Sequence, residues 1–181
     1  AGLAGCSLIA RLRQLDWSGT IALVEAGRGP GGRMATRQRR DAPEWRLDHG
    51  APGFNLSQPP SGDLDALLKP LRVQGVLQRE WREVISLNGN GSIVANSGDS
   101  TPEGGWLRGR PCMADLCAAM LNLGDGPLER QFGTRVRWLE RRDGAWCLMN
   151  EDRSWMFGIN AGYDSRPVKS GDTASGYKAY D

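Results

Sequence analysis

The first 25 residues constrain the fold more than any other segment, because they combine a glycine-framed helix with a buried strand. Apolar residues recur at three- and four-residue steps from Leu3 to Leu15, which predicts a helix. The run Thr20–Glu25 is continuous and β-branched, as in a strand covered on both faces in a parallel sheet. A helix followed by such a strand predicts α/β winding. The buried stripe predicted for this helix is Leu3, Ala4, Leu8, Ile9, Leu12 and Leu15.

Glycines and an acid in this segment have the spacing of a dinucleotide-binding fingerprint. Gly2 and Gly5 match the second and third glycines of G-x-G-x-x-G, which would let the backbone approach a pyrophosphate and let the helix pack on the sheet. Glu25 follows about 20 positions later, where an acid accepts hydrogen bonds from the adenosine ribose. The alternatives are an accidental glycine pair and a solvated strand-end charge. An acid at this point favours FAD or NAD over NADP.

A second glycine-rich loop follows the strand. Glycine makes up 25 of the 181 residues, and four of these glycines fall between positions 27 and 32. Such a loop is either flexible or in close contact with a ligand, because glycine permits positive φ and close backbone approach.

Three stretches carry a resemblance to a known family: Gly2–Gly5, Val24–Arg37 and Leu47–Ala51. They resemble FAD-dependent oxidoreductases of the amine oxidase superfamily, most closely the renalase-like members. A Gly-Gly-Arg shortly after the ribose acid marks these flavin enzymes, and most NAD enzymes lack it. Weaker similarity in Arg110–Leu121 and Thr134–Cys147 extends the resemblance over most of residues 1 to 158.

The resemblance implies FAD as the cofactor and assigns parts of it to particular residues. Gly31 and Gly32 would turn beneath the pyrophosphate and Arg33 would contact it, while Gly50 and Ala51 would lie beside the isoalloxazine ring. The cofactor-binding residues taken together are Gly2, Ala4, Gly5, Glu25, Arg28, Gly31, Gly32, Arg33, Gly50, Ala51 and Val136, the last meeting the adenine through its backbone. His49, the single histidine, is interpreted as structural, so neither a catalytic residue nor a metal ligand is assigned.

The fold expected from these features is α/β: an incomplete Rossmann-like FAD-binding domain with part of a mixed α+β substrate domain. The domain prediction is FAD-binding residues 1–57, a substrate-side segment 58–104, FAD-binding residues continued over 105–159, and an unassigned tail 160–181. The first strand and first glycine of the family pattern are missing, Pro52-Gly53-Phe54 stand where relatives have Gln and an aromatic residue, and nothing after Asn160 resembles the family. We therefore expect a fragment or a truncated product.

Periodicity and turn residues predict the remaining elements. They are paired short strands over Thr36–Arg40 and Glu44–Leu47, a helix over Asp63–Arg72, a strand over Val76–Leu87, a polar segment over Asn88–Gly105, a helix over Pro111–Leu123 with Pro111 at its first position, and strands over Thr134–Arg141 and Ala145–Met149 joined at Asp143-Gly144.

The composition limits the classes of partner that the chain is expected to bind. A net charge of +2 and a pI near 8.5 argue against nucleic acid. The 20 Arg against 3 Lys favour phosphate or carboxylate ligands, or reflect genomic base composition.

The four cysteines are expected to be reduced and buried, and the seven tryptophans to pack in cores and interfaces. The arginines at 135, 137, 141 and 142 are expected to form a solvated hairpin face. Without a membrane span or leader pattern, a cytoplasmic protein is expected, and its oligomeric state is not predicted.

Two functions are compatible with this sequence. The first is transfer of hydride from a small reduced substrate to flavin, with a misreduced nicotinamide dinucleotide or an amine as the substrate class implied by the resemblance. The second is an inactive or purely nucleotide-binding remnant.

Overall fold

The computed structural model describes residues 1–80, 86–94, 102–142, 145–150, 155–160 and 178–180. The chain folds into two compact units. The helical unit comprises Gly2–Leu15 and Pro30–Gly124, and the strand unit comprises Ala1, Asp16–Gly29 and Asp125–Asp181. The described chain contains both helices and small sheets, so its architecture is mixed α/β.

The elements follow in chain order. They are α1 (Leu3–Gln14), β1 (Ile21–Glu25), a 3-10 turn (Gly32–Met34), β2 (Thr36–Gln38), β3 (Arg46–Asp48), β4 (Phe54–Asn55), α2 (Gly62–Val73), β5 (Leu77–Glu80), β6 (Ser86–Leu87), β7 (Ile93–Val94), β8 (Trp106–Gly109), α3 (Met113–Met120), β9 (Leu128–Phe132), β10 (Trp138–Arg142), β11 (Ala145–Met149), β12 (Trp155–Asn160) and β13 (Lys178–Tyr180).

Helix α1 forms as predicted, but its buried face matches the predicted stripe only in part. Its buried residues are Cys6, Ile9, Ala10 and Arg13. Leu8 and Leu15, both in the predicted stripe, are exposed. Helix α1 packs on α3, and the small side chains of Cys6 and Ala10 allow that close approach. Of the predicted stripe, Ile9 is buried, Leu3 and Leu12 are half-buried, and Ala4, Leu8 and Leu15 are exposed, so the prediction was only partly right.

Helix α3 and its C-cap residue contribute five buried side chains to the core of the helical unit. Met113, Leu116, Cys117, Met120 and Leu121 are buried, as predicted. The N-cap of α3 is Cys112, so Pro111 precedes the helix instead of occupying its first position.

Helix α2 and the short strands complete the helical unit. Helix α2 buries Leu68 and Leu71 and contains Pro70 near its end. Strands β2 and β3 pair antiparallel, as predicted, and place Thr36 opposite Asp48. A second sheet has the order β4-β8-β5, and β6 pairs with β7. The predicted strand over Val76–Leu87 is represented by β5 and β6, and residues 81–85 lie outside the described residues.

The strand unit contains one parallel pair. Strand β1 pairs with β9 in the register Ile21↔Leu128 to Glu25↔Phe132. In β1 only Leu23 is buried, and the other four residues are half-buried. The prediction of a parallel strand is confirmed, whereas the prediction that both of its faces are covered is not met in the described structure.

The second sheet of the strand unit has the order β10-β11-β12-β13. Its buried side chains are Ala145, Cys147 and Met149 on β11. The predicted strand over 134–141 begins only at Trp138, and the predicted turn at residues 143 and 144 lies outside the described residues. Strand β13 pairs in parallel with β12, although residues 160–181 were predicted to be a tail.

Residue exposure tests three further predictions. All four cysteines are free and buried, as expected. The arginines at 135, 137, 141 and 142 are exposed, as expected of a solvated face. Four tryptophans at positions 17, 45, 138 and 146 are exposed, so they do not lie in a core, and their packing in an interface stays a prediction. No helix among the described residues is both long and apolar enough to cross a membrane.

Candidate functional site

The N-terminus of α1 is open to a negatively charged ligand. Its N-cap is Gly2, which has no side chain to accept from the first-turn N–H groups, and that turn contains no acidic residue. The Cys6 N–H donates to the Gly2 carbonyl at 3.0 Å and closes the first helical turn. The N–H groups of Leu3, Ala4 and Gly5 precede any intrahelical acceptor, and together with the helix dipole they favour an anion.

The second glycine loop meets this helix N-terminus within the helical unit. Gly2 and Gly31 form a parallel bridge. Gly32 has φ +54°, and a Cβ there would come within 2.9 Å of the Gly2 Cα. Gly31 has φ +140°, and a Cβ there would come within 2.9 Å of the Ala35 Cα. Both positions need glycine, because side chains would collide with backbone and because positive φ disfavours them.

Arg33 follows the two glycines and is available to a ligand. It lies in the 3-10 turn, whose Met34 is buried and whose Met34 N–H donates to the Gly31 carbonyl at 2.8 Å. The Arg33 side chain is exposed and makes no ion pair within the part of the chain that the structure describes. A guanidinium held by a rigid turn and left without a carboxylate suits a phosphate group.

Gly50 and Ala51 lie against the backbone of the same turn. The Ala51 N–H donates to the Arg33 carbonyl at 2.8 Å, and the His49 N–H donates to the Ala35 carbonyl at 3.4 Å. A Cβ at Gly50 would collide with the Arg33 carbonyl. Gly50 and Ala51 are both exposed, so their backbone is accessible beside Arg33.

The predicted binding roles of Ala4 and Gly5 are supported by fewer contacts. Ala4 is exposed, and a Cβ at Gly5 would meet no atom of the described residues within 4 Å. The role assigned to Gly5 in packing the helix on a sheet therefore stays a prediction. The helical unit brings together Gly2, Gly31, Gly32, Arg33, Gly50 and Ala51.

Glu25 ends β1 in the strand unit and is held by local hydrogen bonds. Its Oε1 accepts from the Gly27 N–H at 2.5 Å, and its Oε2 accepts from the Ala1 ammonium. Burial raises the pKa of this carboxyl, but the bonds from Ala1 and Gly27 outweigh burial and bring the pKa below its usual value. Glu25 is therefore an ionised acceptor whose present partners are a backbone amide and an ammonium group.

The strand unit contains two other predicted site residues, Arg28 after β1 and Val136 after β9. Arg28 is exposed after β1, and its side chain has no partner among the described residues. Val136 is half-buried in the connection after β9. The Gly133 N–H donates to the Gly27 carbonyl at 2.7 Å, which joins the two connections. The carboxyl edge of parallel strands is where nucleotides bind in α/β proteins.

All of the predicted site residues except Val136 lie within one family match. Residues 1–71 match the NAD(P)-binding Rossmann-like domain family. The match spans α1, β1, the second glycine loop, the β2–β3 hairpin and most of α2. Comparison with curated proteins gives no match. The match supports nucleotide binding of the oxidoreductase type for this segment.

Sequence reasoning missed two residues beside this site, Thr36 and Asp48. Both bind the N-terminus of α3, where the Met113 N–H donates to Asp48 and the Ala114 N–H donates to Thr36. The sequence carried no signal for this pairing, because α3 also has a local capping box between Cys112 and Asp115.

Proposed function

We propose that this chain binds FAD and supplies the cofactor-binding part of an oxidoreductase that removes hydride from a small reduced substrate. The observation that carries the proposal is the contact of Gly2 with Gly31 and Gly32 at the open N-terminus of α1. A pyrophosphate is the dinucleotide part that fits this place, because it accepts helix N–H groups and tolerates close backbone approach.

The donor set supports a dinucleotide on chemical grounds. Two side-chain-free positions, a first helical turn without carboxylates and an Arg33 with no ion pair among the described residues suit a pyrophosphate, and a Cβ at Gly32 would collide with the Gly2 Cα. In the strand unit, Glu25 offers an acceptor for ribose hydroxyls and Val136 offers backbone for the adenine. Arg28 is assigned a weaker phosphate contact, since it is exposed and has no partner among the described residues.

FAD is preferred to NAD because of the second loop. Gly-Gly-Arg after the ribose acid and the exposed Gly50–Ala51 backbone beside Arg33 match the resemblance to flavin-dependent amine oxidases and renalase-like enzymes. Bound FAD would supply the hydride acceptor. The chain's own residues bind and orient it, and none of them is assigned as an acid or base. The proposed substrate class is a misreduced nicotinamide dinucleotide or an amine.

A second candidate is a nucleotide-binding chain that performs no redox reaction. The family match favours this second candidate for two reasons. It names nucleotide binding, and it covers residues 1–71 only. This candidate predicts binding of ADP with no spectral change on addition of a reduced substrate.

A reconstitution experiment separates the two. The purified chain is incubated with FAD, passed through a desalting column, and examined for flavin absorbance and for bleaching with reduced nicotinamide dinucleotides or amines. Retained flavin that bleaches supports the oxidoreductase. ADP binding without retained flavin supports the second candidate, and binding of neither ligand overturns both.

A further inference from the structure

Helix α3 begins with acceptors that come from a distant hairpin. Its N-cap Cys112 is followed by the Met113 N–H, which donates to Asp48 Oδ1 at 3.1 Å. The next amide, Ala114 N–H, donates to Thr36 Oγ1 at 3.2 Å. Two first-turn N–H groups, which have no acceptor within the helix, are thus satisfied by residues paired across β2 and β3, in addition to the local capping box between Cys112 and Asp115.

The Asp48 carboxylate is buried and saturated with partners. Its side chain is 7% exposed. It accepts from Thr36 Oγ1 at 2.6 Å and from Met113 N–H at 3.1 Å, and it pairs with Arg108 at 3.3 Å. A buried charge is tolerated only where such partners surround it, so the position of Asp48 is strongly fixed.

Asp48 is the last residue of β3, and only His49 separates it from the Gly50–Ala51 segment. From His49 onward the backbone is bonded to the 3-10 turn, through His49 N–H to the Ala35 carbonyl and through Ala51 N–H to the Arg33 carbonyl. These two hydrogen bonds form only if the end of the β2–β3 hairpin keeps the position in which Asp48 holds it. The buried acid therefore determines where Ala51 lies relative to Arg33.

We propose that Asp48 and Thr36 are positioning residues for the Gly50–Ala51 segment, which is proposed to lie beside the flavin ring. Because they cap α3, they hold the Gly50–Ala51 backbone against Arg33 before a cofactor binds. The inference rests on the proposed function for the identity of the ligand. The capping and its effect on Ala51 concern the free chain and are measurable in it.

The first test is hydrogen exchange at the Ala51 amide in the free chain. Thr36→Val removes the hydroxyl at nearly constant shape, and Thr36→Ser retains it. Asp48→Asn removes the charge. We expect exchange at Ala51 to accelerate about tenfold or more in Thr36→Val and Asp48→Asn, and to stay near wild type in Thr36→Ser.

Asp115→Asn is the matched control. Asp115 accepts from the Cys112 N–H at 3.0 Å and pairs with Arg46 of β3 at 2.7 Å, so it also joins the helix end to the hairpin but makes no hydrogen bond with Thr36 or Asp48. Its loss destabilises α3 but should leave Ala51 exchange within about twofold of wild type. Equal acceleration in Asp115→Asn and Thr36→Val, or none in Thr36→Val, overturns the positioning role.

The second test compares FAD with ADP, which contains no flavin ring. Thr36→Val should weaken FAD binding about tenfold or more while ADP binding changes less than about twofold. Parallel weakening of both ligands overturns the inference and leaves the proposed function intact. If wild type binds neither ligand, the proposed function fails, and the Ala51 exchange rates still decide whether Asp48 and Thr36 position the segment.

Discussion

Gly32 lies so close to Gly2 that a Cβ atom on Gly32 would come within 2.9 Å of the Gly2 Cα. The contact joins the beginning of α1 to the second glycine loop. Gly32 also has φ +54°, which is unfavourable for a side chain even in open space. Steric exclusion and backbone conformation therefore both select glycine at this position.

Gly32→Ala should reduce stability and ligand affinity together. Gly62→Ala is a matched control, because Gly62 also has φ +54° but a Cβ there meets nothing within 4 Å. We expect the control to lower the free energy of unfolding by about 1 kcal/mol and Gly32→Ala to lower it by about 2 kcal/mol or more. Urea unfolding measures both changes.

Binding distinguishes the two variants further. ADP and FAD should bind the Gly62→Ala chain as they bind wild type, whereas the Gly32→Ala chain should bind both at least about tenfold more weakly. Equal affinities for the two variants would show that the contact of Gly32 with Gly2 does not shape the ligand site.

Arg33→Ala should weaken pyrophosphate ligands without unfolding the chain. The side chain is exposed and makes no ion pair within the described ranges, so its removal costs little stability. A charge-assisted hydrogen bond is worth about 1.5–3 kcal/mol, so ADP and FAD should bind about 10- to 100-fold more weakly. Calorimetric titration measures this. Arg37→Ala, at another exposed arginine, should bind both ligands normally, and a similar loss there would point to general electrostatic attraction.

The fold was predictable where local patterns and tertiary packing agree. The helices, the β2–β3 hairpin and the buried face of α3 follow from periodicity and turn residues. The buried face of α1 was predictable only in part, since the contact with α3 selects the small residues Cys6 and Ala10 over Leu8. The start of β10 at Trp138 also escaped prediction, because alternation alone does not show where hydrogen bonding to β11 begins.

The site was predictable only in part. Glycine and arginine spacing identified Gly31, Gly32 and Arg33, which the structure brings to the N-terminus of α1. Thr36 and Asp48 were missed because their partners, the N–H groups of Ala114 and Met113, are far away in sequence. Backbone donors carry no sequence signal, so a tertiary helix cap is visible only after folding.

Glu25→Gln should weaken adenosine-containing ligands selectively. If the carboxylate accepts from ribose hydroxyls, loss of its charge should weaken ADP and FAD about tenfold and leave FMN, which lacks adenosine, unchanged. Glu44→Gln, at an exposed glutamate, is the charge-matched control. Equal ADP binding by wild type and Glu25→Gln would show that Glu25 serves only its own loop, through Gly27.

The same variant tests the pH dependence of stability. Hydrogen bonds from Ala1 and Gly27 outweigh the effect of burial and lower the pKa of Glu25, so the folded chain releases this proton more readily than the unfolded chain. Glu25 thus contributes stability above the unfolded-state pKa of about 4.3, and that contribution is lost as pH falls through the folded-state value. The stability advantage of wild type over Glu25→Gln should be present at about pH 6 and shrink below about pH 4 in urea titrations. A difference that does not vary with pH would contradict the assignment.

The cysteines Cys6 and Cys117 give a chemical readout of ligand binding. Both are fully buried, on α1 and α3. A hydrogen bond with Cys6, together with burial, raises the pKa of Cys117, so the folded chain keeps this thiol neutral and unreactive. Iodoacetamide should therefore label these cysteines quickly only in urea, as measured by mass spectrometry.

In native buffer, labelling of Cys6 requires opening of the helical unit, because α1 is packed on α3. A ligand bound at the N-terminus of α1 reduces that opening in proportion to 1 + [ligand]/Kd, so ADP at about 100 times its Kd should slow labelling about 100-fold. Cys147 on β11 reports in the same experiment whether ADP also slows opening of the strand unit. If ADP binds but Cys6 labelling does not slow, then ADP binds elsewhere than the glycine-lined end of α1.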